Sequence, residues 1–131
     1  CCPGSEIDRA ADIGISPDPG PEVITGSTRM KCGTAQKMVL NMLSTCTMVK
    51  LGKVYGNLMV DVKPSNEKLV HRCISIVRET TGADEKTAVA ALEEWGYKCK
   101  TAIVMLLCSV SADEAEARLG RSDGRVADAI R

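Results

Sequence analysis

Apolar residues recur at helical spacing along most of this chain, and the pattern changes character part-way. Met38, Val39, Met42, Leu43 and Cys46 predict a helix that begins near Ser27 and stops at Leu51, with Gly52 as its terminating residue. Between Met38 and Leu51 the helix is apolar on nearly all sides, so it calls for cover on two faces. A second helix opens at Pro64-Ser65-Asn66, carries Leu69, Val70, Cys73, Ile74 and Val77 as a stripe, and ends at Gly82. Three short helices follow. Asp84 caps one bearing Ala88, Leu92 and Trp95 that stops at Gly96; the next presents Cys99, Ala102, Ile103 and Leu106. Ser111-Ala112-Asp113-Glu114 reads as a capping box for the third, which ends at Gly120, and Val126, Ala129 and Ile130 mark a closing turn. Helices this short need one another, so a small bundle is expected.

The first twenty residues read differently. Cys1-Cys2 looks like the end of a strand entering a turn at Pro3-Gly4, Ser5 can cap a short helix through Ala10, and Ala11 to Ser16 alternates as a strand does. Strand, helix and strand make one βαβ step of a parallel sheet. Ser16 to Pro21 holds three prolines and must be a loop at the carboxyl end of that second strand. Val54 to Val62 is extended or irregular, with a turn at Gly56-Asn57. The expected fold is therefore α/β: parallel sheet and helices over residues 1–82, then an all-α bundle over 83–131.

Composition narrows the functions. Lys plus Arg and Asp plus Glu both number 17, so no net field would draw nucleic acid or an anionic membrane. Phe is absent and Trp95, Tyr55 and Tyr97 are the whole aromatic complement, which removes a base-stacking platform. The apolar run Ala102 to Cys108 is far short of the roughly 20 residues a membrane span needs. Seven cysteines are scattered without a Cys-x-x-Cys pair and His71 is the one histidine, so no metal site is expected and the thiols read as reduced, mostly buried residues of a cytoplasmic protein.

The chemistry concentrates between Gly20 and Lys37. Gly26-Ser27-Thr28 stands at a helix start, where unpartnered N–H groups and the dipole favour an anion, and Arg29, Lys31 and Lys37 add positive charge. Ser27 or Thr28 is the expected N-cap. Glu22 is the one carboxylate inside this stretch; acid–base work on a bound ligand and capping of a backbone N–H are both open to it. Asn66 reads as an N-cap and Lys68 as a first-turn lysine.

Gly20-Pro21-Glu22-Val23-Ile24-Thr25-Gly26-Ser27-Thr28-Arg29-Met30-Lys31, continued by Gly33-Thr34-Ala35-Gln36-Lys37, by Gly52 to Val62 and by Asn66-Glu67-Lys68-Leu69, resembles the N-acetylmuramic acid 6-phosphate etherases of the sugar isomerase (SIS) fold group. The glucokinase regulatory protein shares the signature more loosely. The resemblance implies the C-terminal part of a SIS-type parallel-sheet sandwich with its dimer-forming and connecting helices in residues 1–82. The Gly96-Tyr97 turn resembles that of ubiquitin-associated-like three-helix domains, implying such a bundle in residues 83–131. The etherase resemblance further implies cleavage of a lactyl ether on a sugar phosphate without metal or cofactor, by a homodimer, with Ser27, Thr28, Lys31, Asn66 and Lys68 binding the substrate. The family's catalytic glutamates are expected in an upstream half that this chain does not contain, which leaves Glu22 a weak catalytic candidate. A non-catalytic sugar-phosphate regulator and a helical interaction module are the competing readings.

Overall fold

A computed structural model describes residues 1–131 and divides them into two compact units, Cys1–Thr47 and Met48–Arg131. In the first, α1 (Glu6–Ala10) is capped by Ser5, whose hydroxyl accepts from the Asp8 N–H at 3.2 Å. The Asp8 carboxylate then accepts from the Gly4 N–H and the Ser16 hydroxyl, both at 2.9 Å, and so ties the segment after α1 back onto the helix. Gly14 is needed there, because a Cβ at that position would run into the Asp8 carboxylate. Ile7, Ile15, Val39 and Leu40 line an apolar recess of about 560 Å³ in this unit.

The expected parallel sheet is not present in this chain. Ala11 to Ser16 is bend and coil, with Ile13 and Ile15 exposed, and Cys1-Cys2 leads into a turn without being a strand. The alternation is real, yet a strand exists only when neighbours take up its N–H and C=O groups, and none lies beside it here. The fold is mostly helical, with a single two-stranded hairpin.

α2 (Lys31–Lys50) is the long apolar helix, and it starts four residues later than the hydroxyl cluster suggests. None of its residues is buried, and Met38, Leu40, Met42, Leu43, Met48 and Val49 stand exposed. Gly52 follows at φ +68°, and a side chain there would meet the Gly124 carbonyl at 3.0 Å, so glycine is required twice over.

In the second unit β1 (Val54–Tyr55) pairs antiparallel with β2 (Leu58–Met59) through the Gly56-Asn57 turn, Val54 opposite Met59 and Tyr55 opposite Leu58. α3 (Glu67–Thr81) is capped by Asn66 and ends on Gly82 in the left-handed region. α4 (Glu85–Glu94), α5 (Cys99–Cys108), α6 (Ala112–Arg121) and α7 (Val126–Ala129) complete the unit, capped at α4 and α6 by Asp84 and Ser111 as their sequence spacing predicts. α6 runs through Gly120 to Arg121 rather than stopping at the glycine. Its N–H groups continue the helical ladder to Ser122, and glycine costs a helix only about 1 kcal/mol.

One core joins these helices. Val60, Cys73, Val77, Ala88, Leu92, Ala102, Ile103, Val104, Ala115 and Val126 are each 1% exposed or less. α5 lies at its centre, packed on α3, α4, α6 and α7, and this is why Cys99 to Met105 is buried almost without a break. Alanines at 88, 102 and 115 let the backbones approach closely. Of the seven thiols only Cys73 and Cys99 are buried; Cys2 and Cys46 are exposed, contrary to the expectation of mostly buried cysteines. Cys46 sits on α2, whose apolar surface is uncovered.

Candidate functional site

The loop from Pro21 to Met30 carries the hydroxyl cluster in the first unit. It turns at Gly26, φ +82°, with the Ser27 N–H donating to the Ile24 carbonyl at 3.0 Å. Ser27 is half-buried, and its Oγ accepts from the Arg29 N–H at the long distance of 3.5 Å; Thr28 is exposed, and its carbonyl takes the Gly33 N–H at 3.1 Å. Lys31, the first residue of α2, points its charge into solvent.

Neither Ser27 nor Thr28 caps α2. Glu22 does: its Oε2 accepts from the Lys31 N–H at 3.1 Å and its Oε1 from the Cys32 N–H at 3.2 Å. A carboxylate suits those donors better than a hydroxyl, since it brings two acceptor oxygens and a charge that the helix dipole favours. The Lys31 N–H, helped by those of Cys32 and Met30, holds the Glu22 carboxyl below its ordinary value against an opposing effect of desolvation. Glu22 therefore stays ionised, and of its two sequence readings the geometry displays the capping one. The signal was missed because the cap reaches nine and ten residues ahead, whereas local capping motifs span three.

Asn66 and Lys68 belong to the second unit, on the first turn of α3. Asn66 Oδ1 accepts from the Leu69 N–H at 3.0 Å, which leaves its NH₂ group facing outward as a free donor. Lys68 is exposed, and neither it nor Lys31 pairs with a carboxylate. His71 is exposed and lies 3.8 Å from Glu67 one turn earlier.

A second group of charges lies beside the start of α5. Asp61 bridges Lys53 at 2.8 Å and Lys100 at 3.6 Å, and the Lys100 ammonium also donates to the Gly124 carbonyl at 3.1 Å. Thr101, buried within α5, donates its hydroxyl to Glu116 of α6, which Lys98 also reaches at 3.3 Å. The hydrogen bond from Lys53 holds Asp61 below its ordinary value against partial burial. These pairs tie the hairpin, α5 and α6 together; they are structural joints.

Comparison with known proteins bears on the signature. A family model described as the C-terminal lid domain of glucokinase regulatory protein matches residues 56–100. The chain is 53% identical over 130 residues to N-acetylmuramic acid 6-phosphate etherase of Klebsiella aerogenes, covering 99% of this chain and 43% of the relative. It is 55% identical over 130 residues to the enzyme of that name from Serratia proteamaculans, strain 568, covering 99% of the chain and 44% of the relative. Against the one from Mycolicibacterium smegmatis it is 57% identical over 124 residues, covering 95% and 42%. By sequence the chain is similar, over nearly its whole length, to the C-terminal part of these etherases. It spans less than half the length of the etherase relatives, so Glu22, the hydroxyl loop and the α3 first turn all lie in that matched C-terminal part.

Proposed function

We propose that this chain supplies the sugar-phosphate-binding, C-terminal part of a lyase that cleaves the D-lactyl ether of N-acetylmuramic acid 6-phosphate, giving N-acetylglucosamine 6-phosphate and D-lactate. The observation that carries the reading is the 53% identity over 130 of the chain's 131 residues to an enzyme so named. A base takes the C2 proton, lactate leaves from C3 with help from an acid, and water adds to the unsaturated sugar. The acid and base are assigned to the part of the relatives that this chain does not match, because Glu22, ionised and engaged by two backbone N–H groups, is poorly placed to shuttle protons. The chain's own residues bind. Ser27 and Thr28 offer hydroxyls and Lys31 a charge to the phosphate; Asn66 donates its free amide to a sugar hydroxyl, and Lys68 is a further point charge for the anion.

The reading includes a sugar isomerase fold, with Ala11 to Ser16 becoming a strand once sheet neighbours stand beside it, and with the bare face of α2 buried at a homodimer interface. Residues 1–82, including α3 as the connecting helix, are assigned to that fold, and residues 83–131 to a ubiquitin-associated-like bundle. The enzyme needs no cofactor and works in the cytoplasm. A regulatory protein that senses sugar phosphate without cleaving it is the second reading, favoured by the lid-domain match over residues 56–100.

The test is an exchange protein, the Klebsiella aerogenes etherase with its matching 130 residues replaced by this chain. Lactate release from the muramic acid 6-phosphate ether supports the lyase; tight binding of the sugar phosphate with no lactate released sinks it in favour of the regulator. Within an active exchange protein, Ser27→Ala and Lys68→Ala should each lower kcat/KM about ten- to a hundred-fold, the range for losing one hydrogen bond to a charged group.

A further inference from the structure

The donors at the start of α2 are already taken by the protein. Glu22 holds the Lys31 and Cys32 N–H groups, the Thr28 carbonyl holds that of Gly33, and Ser27 Oγ receives that of Arg29. A phosphate arriving here finds no free amide on the first turn, only the side chains of the loop. That loop, Val23 to Met30, has no regular structure, and of its eight residues only Ser27 is not exposed. Its inner end is tied to α2 by the Glu22 carboxylate.

We infer that Glu22 is a positioning residue for phosphate binding: it occupies two amide donors of the α2 first turn and thereby fixes the loop that presents Ser27 and Thr28 beside Lys31. The inference rests on the sugar-phosphate reading above. Two bonds from one carboxylate to consecutive N–H groups set both the distance and the twist of the loop's entry against the helix. Without them the loop would have to be ordered at the moment of binding, at an entropy cost that ligand affinity would bear. Glu22 acts through the loop and touches neither the phosphate nor the reacting carbons, so its loss should appear in binding before it appears in turnover.

In the exchange protein, Glu22→Ala should raise KM about ten-fold while kcat changes less than about three-fold. Glu22→Gln keeps one acceptor oxygen for one of the two N–H groups and should fall between. The decisive arm is coupling: once Glu22 is Ala, adding Ser27→Ala should cost less than about two-fold, because the hydroxyl is no longer held in place. A full, independent Ser27 cost in the Glu22→Ala background overturns the inference, as does a fall in kcat at constant KM. Failure of the underlying reading looks different, since Ser27→Ala would then be silent with Glu22 intact. Amide exchange on the 131-residue chain judges the clamp whatever the kinetics. Glu22→Ala should speed exchange at Lys31 and Cys32 and leave α5 protection unchanged, and unaltered protection at 31 and 32 overturns the inference.

Discussion

Thr101 shows how one hydroxyl can matter in a helix that is otherwise apolar. It is 1% exposed on α5, and its hydroxyl donates to a Glu116 carboxylate that is itself about two-thirds covered. Burial pushes the Glu116 carboxyl up, but the Thr101 hydroxyl and the Lys98 ammonium outweigh it and hold the group below its ordinary value. Thr101→Val keeps the shape and removes the donor, so it should destabilise the chain by about 1–2 kcal/mol in chemical denaturation. Thr101→Val combined with Glu116→Gln should recover part of that loss, because the stranded acceptor is then neutral. Equal stability of Thr101→Val and the parent would show that the buried bond contributes nothing. Burial, with the contact to Cys73, drives the Cys99 thiol far above its ordinary value, which makes it inert where it sits. Its neighbour Ala102, with no exposed surface at the centre of the bundle, should not tolerate enlargement. Ala102→Leu is expected to cost at least 1–3 kcal/mol, roughly the range for overpacking a well-filled core.

At the scale of elements, α3 and α2 make opposite cases. Every device that starts and stops α3 is local: Asn66 takes the Leu69 N–H, the apolar stripe follows at helical spacing, and Gly82 closes it. Asn66→Ala should therefore cost about 1 kcal/mol of stability through the lost cap. Asn66→Asp keeps the cap and removes the outward NH₂ donor, so it separates capping from sugar binding: stability should hold while KM for the sugar phosphate in the exchange protein rises. If Asn66→Asp binds as the parent does, the residue is a cap and nothing more. The helices beyond Gly82 were legible in the sequence for the same reason as α3, since Asp84 and Ser111 announce α4 and α6 from within three residues. What could not be read was non-local. The cap on α2 comes from Glu22, nine residues back, so the hydroxyls of Ser27 and Thr28 drew a boundary that belongs to a carboxylate. The strand expected at Ala11 to Ser16 depends on sheet neighbours, which no pattern within the segment can supply. Lys31, Asn66 and Lys68 stand at two helix starts, as local sequence indicates, whereas Ser27 and Thr28 lie in the loop before α2, and the joint role of the five comes from resemblance alone.

The whole molecule divides its apolar surface unevenly. Thirteen of the fifteen large exposed hydrophobic residues fall between Ile7 and Leu51, and only Met59 and Leu107 lie beyond, whereas every buried hydrophobic residue is at Val60 or later. Asp8 and Glu22 in the earlier part are held below their ordinary values by backbone N–H groups, and four further carboxylates in the later part are held down as well. Asp61 is held down by Lys53, Asp84 by the Thr87 N–H, Glu114 by Arg118, and Glu116 by Thr101 and Lys98 against its burial. All four have folded values below the ordinary 3.8 or 4.5, so their stabilisation is fully present above that range and is lost as pH falls through the folded values. Denaturation midpoints should hold steady from neutrality to about pH 5 and drop below about pH 4, and Asp61→Asn should flatten that drop by removing one contributor. A further response is expected of the earlier part. No helix of the chain is long and apolar enough to cross a membrane, so the bare face of α2 is not a span, and side chains such as Met38, Met42 and Met48 call for a protein surface as their cover. The 131-residue chain by itself should then associate as its concentration rises. Light scattering should show that association reversed by replacing Leu40 and Leu43, 66% and 53% exposed, with Gln. The same double substitution in the exchange protein should weaken the homodimer proposed above without touching the core from Val60 onward, so amide protection in α5 should not change. A parent chain that stays monomeric up to millimolar concentration would sink the proposal that α2 is an interface.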